Sequence, residues 1–247
     1  MLVTGASSGI GRALALHYAR AGATVHAVAR RRAELDALAA GDAGAGRVVP
    51  VVLDVTDAGA LASAIAAANE ASGGALDLVV ANAGVGDPTP GSQMDWRVVE
   101  RVLDVNATAA CVTIAAALPA MVARGRGTVV AVSSLAAFRG LPGSGAYCAS
   151  KAALHAFMES LRVDLARTRV KAITIYPGFV RTAMTARNRF PMPFLMDLGP
   201  AVRVMTRGIA RGDAVIAFPL PLTLMARVLR AVPRWLYEPL ASRHRPA

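Results

Sequence analysis

The sequence predicts an α/β fold: a single domain with an open, doubly wound parallel sheet flanked by helices, followed by a helical apolar C-terminal extension. Three observations predict it. Short β-rich runs alternate with Ala-rich stretches of helical length up to about residue 180. Those runs are near-continuously apolar rather than alternating, as strands covered on both faces require. Hydrophobic residues make up 55% of the 247 positions, enough to bury a core on each side of a sheet.

The first run, Leu2–Thr4, is short, since a strand in the body of a sheet usually has about five residues. A thin sheet edge or a late start of the chain would each account for it. A helix over Gly9–Ala21 follows, then a strand over Thr24–Ala29 and a helix over Ala33–Ala40. Gly41–Gly46 is a connective loop, and Val48–Leu53 is the third strand. The alternation continues with a helix at Ala58–Ala71, a strand at Leu76–Ala81, a helix at Trp96–Ala123 and a strand at Thr128–Val132. Ala146–Arg167 then reads as helix and Val170–Tyr176 as strand. Right-handed crossovers between such strands give the doubly wound topology. No linker divides the chain, so residues 1–247 form one domain, with a lid segment at about 185–212 and the extension at 219–247.

Charge and cysteine content narrow the partners. The net charge of +11 invites nucleic acid, but the arginines are scattered. Their one run, Arg30-Arg31-Arg32, is short and lacks interleaved aromatics, so no nucleic acid is expected. Cys111 and Cys148 form neither a disulfide framework nor a metal spacing, and read as small buried hydrophobes of a reducing, cytoplasmic setting. His17, His26, His155 and His244 show no ligand pattern, so no metal is expected. Met1-Leu2-Val3-Thr4-Gly5 has no basic, long apolar leader, and no stretch of about 18 residues is both wholly apolar and uncharged, so neither a signal peptide nor a spanning helix is predicted.

Two stretches carry chemistry. Thr4-Gly5-Ala6-Ser7-Ser8-Gly9-Ile10-Gly11 joins the first strand to the first helix with glycines spaced G-x-x-x-G-x-G. Such glycines permit a tight turn and close approach, and the helix N-terminus offers N–H groups to a pyrophosphate. A loop that merely caps the helix would look similar. The second stretch runs from Ser133 to Leu154. Tyr147 and Lys151, four apart, share a helix face, and Ser134 lies upstream across a Gly- and Pro-containing loop. Lys151 is one of two lysines, with Lys171, in a chain that otherwise uses arginine. Lysine is a tunable point charge where arginine is not. Taken singly, these residues also fit a core tyrosine, a surface lysine and a strand-end serine. A Ser–His hydrolase is disfavoured because the Ser133-Ser134 segment lacks a G-x-S-x-G elbow.

Together Thr4–Gly11, Asn82-Ala83-Gly84, Ser134, Tyr147-x-x-x-Lys151 and Pro177-Gly178 occur in the order and spacing of the short-chain dehydrogenase/reductase family, which residues 1 to about 185 resemble. The resemblance implies a Rossmann-type domain that binds NAD or NADP. It implies cofactor contacts from Gly5, Ser7, Ser8, Gly9, Ile10 and Gly11, from Asp54 and Val55, and from Asn82, Ala83 and Gly84. Tyr147, Lys151, Pro177, Gly178, Val180 and Thr182 would meet the nicotinamide end. Ala29 stands where NAD-preferring members carry an acid, and Arg30 and Arg31 follow it, so NADP (NADPH) is favoured over NAD. Ser8, often basic in NADP-preferring members, is neutral here. Tyr147 is implied as general acid/base, Ser134 as the donor to the substrate oxygen, and Asn106 as the holder of a water linked to Lys151. Lys151 and an oxidised nicotinamide ring would lower the tyrosine pKa toward neutrality, which needs roughly 4 kcal/mol. Ser134, Leu135, Ala136, Leu141 and Tyr147 would line the substrate pocket. The implied activity is hydride transfer between NADP(H) and a small apolar carbonyl or alcohol; the alternative is a non-catalytic dinucleotide sensor or scaffold. A homodimer through the helices carrying Asn106 and Tyr147 is also implied.

Beyond about Thr185 the resemblance loosens. Arg187–Pro200 carries Phe190, Met192, Phe194, Leu195 and Met196 among prolines, which suits an adaptable apolar lid or a loop packed on the sheet. Ala214–Phe218 reads as a last strand, broken by Pro219 and Pro221. Leu222, Met225, Leu229, Val232 and Leu236 then fall within about 80° on a helical wheel, with Arg227, Arg230 and Arg234 opposite. Pro233 should divide this segment into two helices, the second holding Trp235 and Tyr237. Such a helix packs on its own protein, covers a partner subunit, or makes peripheral membrane contact.

Overall fold

The computed structural model describes residues 1–188 and 190–242. Seven strands form one sheet: β1 Leu2–Thr4, β2 Thr24–Ala29, β3 Arg47–Val52, β4 Leu78–Ala81, β5 Gly127–Val132, β6 Val170–Pro177 and β7 Val215–Phe218. All are parallel, in the order β3-β2-β1-β4-β5-β6-β7. β1 is as short as its sequence, yet it is no thin edge: it lies mid-sheet between β2 and β4. The strand order reverses there, and ligands of open parallel sheets bind outside the strand ends at that reversal.

Helices cover both faces. α1 (Gly9–Arg20), α2 (Arg32–Ala39) and α7 (Leu198–Arg211) enclose one core with Leu14, Leu35, Leu38 and Met205. On the other face α3 (Ala58–Ala71), α5 (Ala109–Arg124) and α6 (Gly145–Asp164) contribute Leu61, Ile65, Ile114, Leu154 and Met158. This two-sided burial is why the strand runs are almost wholly apolar.

The long helix predicted over 96–123 is interrupted. α4 (Trp96–Leu103) leads through a π-helical turn, Asp104–Thr108, into α5. One turn of π-helix inside an α-helix often marks a functional position, and this one carries Asn106. Contrary to the expectation of no spanning helix, the stretch Trp96–Arg124 is long enough to cross a membrane and contains an 18-residue window of mean hydropathy 1.7. Its inner side packs in the core, as a core helix of this sheet does.

Two C-terminal expectations change. The segment anticipated as lid to residue 212 ends early, because α7 buries Val202, Met205 and Ile209 and packs on α1. Between the 3₁₀ turn Thr185–Arg187 and α7 the described residues form no helix or strand, and Arg189 lies outside the described residues. After β7, α8 (Leu220–Ala231) and α9 (Arg234–Ser242) are separated at Pro233, as proline chemistry dictates. The predicted apolar stripe does not stay on one side: Leu222, Leu229 and Val232 are half-buried, while Met225 and Leu236 are exposed. The break at Pro233 re-aims α9, and α8 also carries a second apolar row outside. Residues 243–247, with His244, are not among those described.

Candidate active site

A cleft of about 440 Å³ opens at the C-terminal ends of the strands. Its floor is the β1–α1 turn. Gly5 has φ +68, and a Cβ there would lie 2.8 Å from the Ala83 Cα, so only glycine fits. Gly11 acts differently. It does not line the cleft; a Cβ would sit 2.4 Å from the Gly5 carbonyl oxygen, so Gly11 lets α1 seat against the turn. Ser8 caps α1 without a side-chain bond and no acid occupies the first turn, which leaves the N-terminal N–H groups aimed at the cleft.

Thr4, whose role the motif alone did not reveal, locks the floor to the far wall. Its Oγ1 accepts from the Asn82 and Ala83 amides at 3.0 and 3.1 Å, and its carbonyl accepts from Asn82 Nδ2 at 2.9 Å. Asn82 therefore serves the turn's architecture, and it lines the cleft together with Ala83 and Gly84.

At one end of the cleft are Arg30, Arg31, Asp54 and Val55. Arg31 donates from Nε and Nη2 to Ser7 Oγ at 3.2 and 2.9 Å, and Arg30 pairs with Asp54 at 3.3 Å. Asp54 is held below the usual carboxylate range, first by the Thr56 amide, with the Thr56 hydroxyl and Arg30 adding to it. Ala29 brings no charge. This end presents two guanidinium groups to an anionic ligand.

At the other end Ser134, Tyr147 and Lys151 converge with Pro177, Gly178, Val180 and Thr182. α6 presents Tyr147 and Lys151 one turn apart, the ammonium 5.8 Å from the phenol ring centroid. Lys151 is buried and donates to the Val132 carbonyl at 2.9 Å, while its own carbonyl accepts from Ser133 Oγ at 3.1 Å. Burial lowers Lys151 to about 8. Burial also raises Tyr147, and the Ser134 hydroxyl opposes that shift without reversing it. The expected lowering of Tyr147 is therefore not supplied by Lys151 alone, because removing the phenolate from water outweighs an ammonium facing the ring.

Asn106, fully buried, accepts from the Val85 amide at 2.7 Å and donates to the Val85 carbonyl at 2.9 Å and to Ser150 Oγ at 3.1 Å. It does not line the cleft. Gly84 separates it from Lys151: a Cβ there would lie 3.2 Å from Asn106 Oδ1 and 3.6 Å from Lys151 Nζ. Of the pocket residues named from sequence, Ser134 and Tyr147 reach the cleft, whereas Leu135, Ala136 and Leu141 do not line it. Leu135 turns into the protein within the 3₁₀ turn Leu135–Ala137. Met184, unanticipated, does line the cleft, its Sδ over Gly86. Thr185 ties the same segment down, its hydroxyl donating to the Val180 carbonyl at 2.7 Å.

The fold and cleft define a dinucleotide-binding oxidoreductase of the doubly wound class. The family model for short chain dehydrogenase matches residues 1–191, and the chain belongs to that family. An uncharacterized oxidoreductase of Myxococcus xanthus is 52% identical over 245 residues, covering 99% of this chain and 96% of its own length. One from Mycobacterium tuberculosis is 31% identical over 242 residues, covering 94% and 93%. Among solved structures, a short-chain dehydrogenase from Sphingobium yanoikuyae in complex with NADPH superposes with a TM-score of 0.83 at 28% identity, covering 100% of this chain and 96% of the other.

The residues present fit a nicotinamide dinucleotide. The cleft has a glycine floor that a Cβ would obstruct, free helix N–H groups midway, cations at one end, and a proton-active cluster at the other.

Proposed function

We propose that this oxidoreductase transfers hydride between NADP(H) and the carbonyl or alcohol of a small apolar substrate, with Tyr147 as general acid or base. One observation carries the reading: Ser134, Tyr147 and Lys151 meet at the end of the cleft opposite Arg30 and Arg31. When bound, the cofactor supplies or accepts the hydride. Tyr147, kept protonated by its burial, donates to the carbonyl oxygen in reduction. Ser134 holds that oxygen by hydrogen bonding and stabilises developing negative charge. Lys151, anchored on the Val132 carbonyl, keeps positive charge beneath the phenol and helps replace its proton. Asn106 positions Val85 and Gly84 at the rear of that proton route.

Arg30 and Arg31 favour a 2′-phosphate, so NADP(H) is the cofactor we assign over NAD(H). The NADPH held by the Sphingobium relative is in keeping with this. Leu135, Ala136 and Leu141 are retained only as neighbours of the substrate loop. A homodimer through α4–α5 and α6 belongs to the same reading, supported by the exposed Val122 and Val163 on their outer sides. Free Cys111 and Cys148 suit a reducing, cytoplasmic setting.

The test is NADPH oxidation by the full chain across ketones, aldehydes, quinones and 3-oxoacyl thioesters, with alcohols assayed in reverse. Turnover of any of them by wild type, and its loss in Tyr147→Phe, would support the assignment. Tight NADPH binding without turnover throughout would favour the sensor.

A further inference from the structure

We propose that the outer face of α8 and the start of α9 form a docking surface for an anionic lipid bilayer, beside the mouth of the cleft. α8 is apolar on two sides. Its inner row packs on the protein: Leu222 lies against Gly178, where an added Cβ would meet its Cδ2 at 2.6 Å, and Thr223 is buried. Its outer row is Leu220, Leu224 and Val228, which are 69%, 51% and 67% exposed. Met225 flanks that row, and beyond the Pro233 break Trp235, 75% exposed, and Leu236 are exposed at the start of α9. Residues four apart form one stripe along a helix, and a contiguous exposed apolar patch marks an interaction surface.

Charge selects the occupant. Between Leu220 and Ser242 the chain has one acid, Glu238, which accepts from Arg234 at 2.6 Å. Arg227 makes no ion pair among the described residues and is exposed beside the outer row. Arg243 and Arg245 follow in a chain of net charge +11. A bilayer with anionic headgroups neutralises these cations while taking up the apolar row, and an indole suits its interface. A two-fold contact between copies of this face would bring like charges together.

The surface is fastened to the loop after Ser134. The Tyr237 hydroxyl donates to the Gly140 carbonyl, the Arg139 guanidinium stacks 4.2 Å over the Tyr237 ring, and that of Arg230 lies 5.8 Å over Phe138. Docking therefore brings this loop to the lipid surface, from which an apolar substrate would enter; this last step rests on the hydride-transfer reading.

Flotation of the full chain with phosphatidylcholine vesicles, with and without phosphatidylglycerol, tests the surface. Wild type should float with the anionic vesicles, less at high salt and less on phosphatidylcholine alone. Leu224→Glu/Val228→Glu should reduce the floating fraction at least about tenfold, with NADPH titration unchanged, so that failure of lipid binding and failure of cofactor binding are read separately. Should that variant not fold, Arg227→Gln should weaken flotation on the anionic vesicles alone. Absence of wild-type flotation, equal flotation of the variants, or dissociation of a wild-type dimer by the double variant without any lipid binding would overturn the proposal. The last result would assign the face to a second copy of the chain.

Discussion

The Lys151 ammonium stands 5.8 Å from the centroid of the Tyr147 ring, one helical turn further along α6, and its hydrogen bond goes to the Val132 carbonyl rather than to the phenol. The lysine thus faces the tyrosine as a charge, not as a donor to its oxygen. Burial works against ionisation of both groups, raising one pKa and lowering the other.

Removing the phenol oxygen should remove the proton donor and little else. Tyr147→Phe is expected to lower kcat by about 10²- to 10⁴-fold. Calorimetric titration should give an NADPH affinity within about threefold of wild type, because Tyr147 is one of many residues expected to contact the dinucleotide and the substitution keeps its ring. A parallel loss of NADPH affinity would mean that the residue builds the site rather than acting in it.

Lys151 exchanges stability for charge. Its folded pKa is lowered to about 8, below the ordinary 10.5. Between those values the unfolded chain holds a proton that the folded chain has released, so stability rises with pH through that window. Below pH 8 the penalty is fully present, on the order of 3 kcal/mol. Lys151→Met should accordingly raise the Tm at pH 7, by an amount that shrinks as pH goes from 8 to 10.5, while turnover collapses. Thermal melts across that range, with kcat measured alongside, check both halves.

Arg31 is poised against Ser7 at the cationic end of the cleft. Loss of one charge-assisted contact to a phosphate corresponds to roughly 10- to 100-fold in affinity. Arg31→Ala should lower kcat/KM for NADPH by about that factor and leave NADH nearly unchanged. Equal losses with both cofactors would show the side chain to be structural.

Thr4→Val keeps the shape of the β1 terminus but removes the oxygen that accepts from two backbone amides. Leaving those amides unpaired should cost about 1–3 kcal/mol in urea unfolding. It should also raise the KM for NADPH, since Ala83 and the β1–α1 turn lose their common tether. An unchanged KM would separate the tether from cofactor binding.

Much of the candidate site's composition was legible because its signals are local. The G-x-x-x-G-x-G spacing depends on a single turn, and Tyr147 and Lys151 depend on one helical period. The strand limits came within a residue or two for the same reason: a buried parallel strand shows itself in consecutive apolar residues. Gly11 was read as a cofactor contact because its motif includes it, yet its neighbour is the Gly5 carbonyl. Leu135, Ala136 and Leu141 were placed on the pocket wall by proximity in sequence; none of them lines the cleft, Leu135 and Ala136 being in the 3₁₀ turn after Ser134 and Leu141 on the exposed loop beyond it.

By itself the sequence determined the α/β class, the succession of elements through β6, and the family whose ordered motifs it carries. The tertiary structure decided which way groups face and what surrounds them. Thr4 meets Asn82 across 78 positions, Arg30 meets Asp54 across 24, and α8 turns one apolar row onto Gly178 and the other to solvent. The pKa directions of Tyr147 and Lys151 belong to the same class, since burial is a property of everything packed around a group. Periodicity and spacing encode what neighbours in the chain do; desolvation and long-range pairing exist only after the chain has closed on itself.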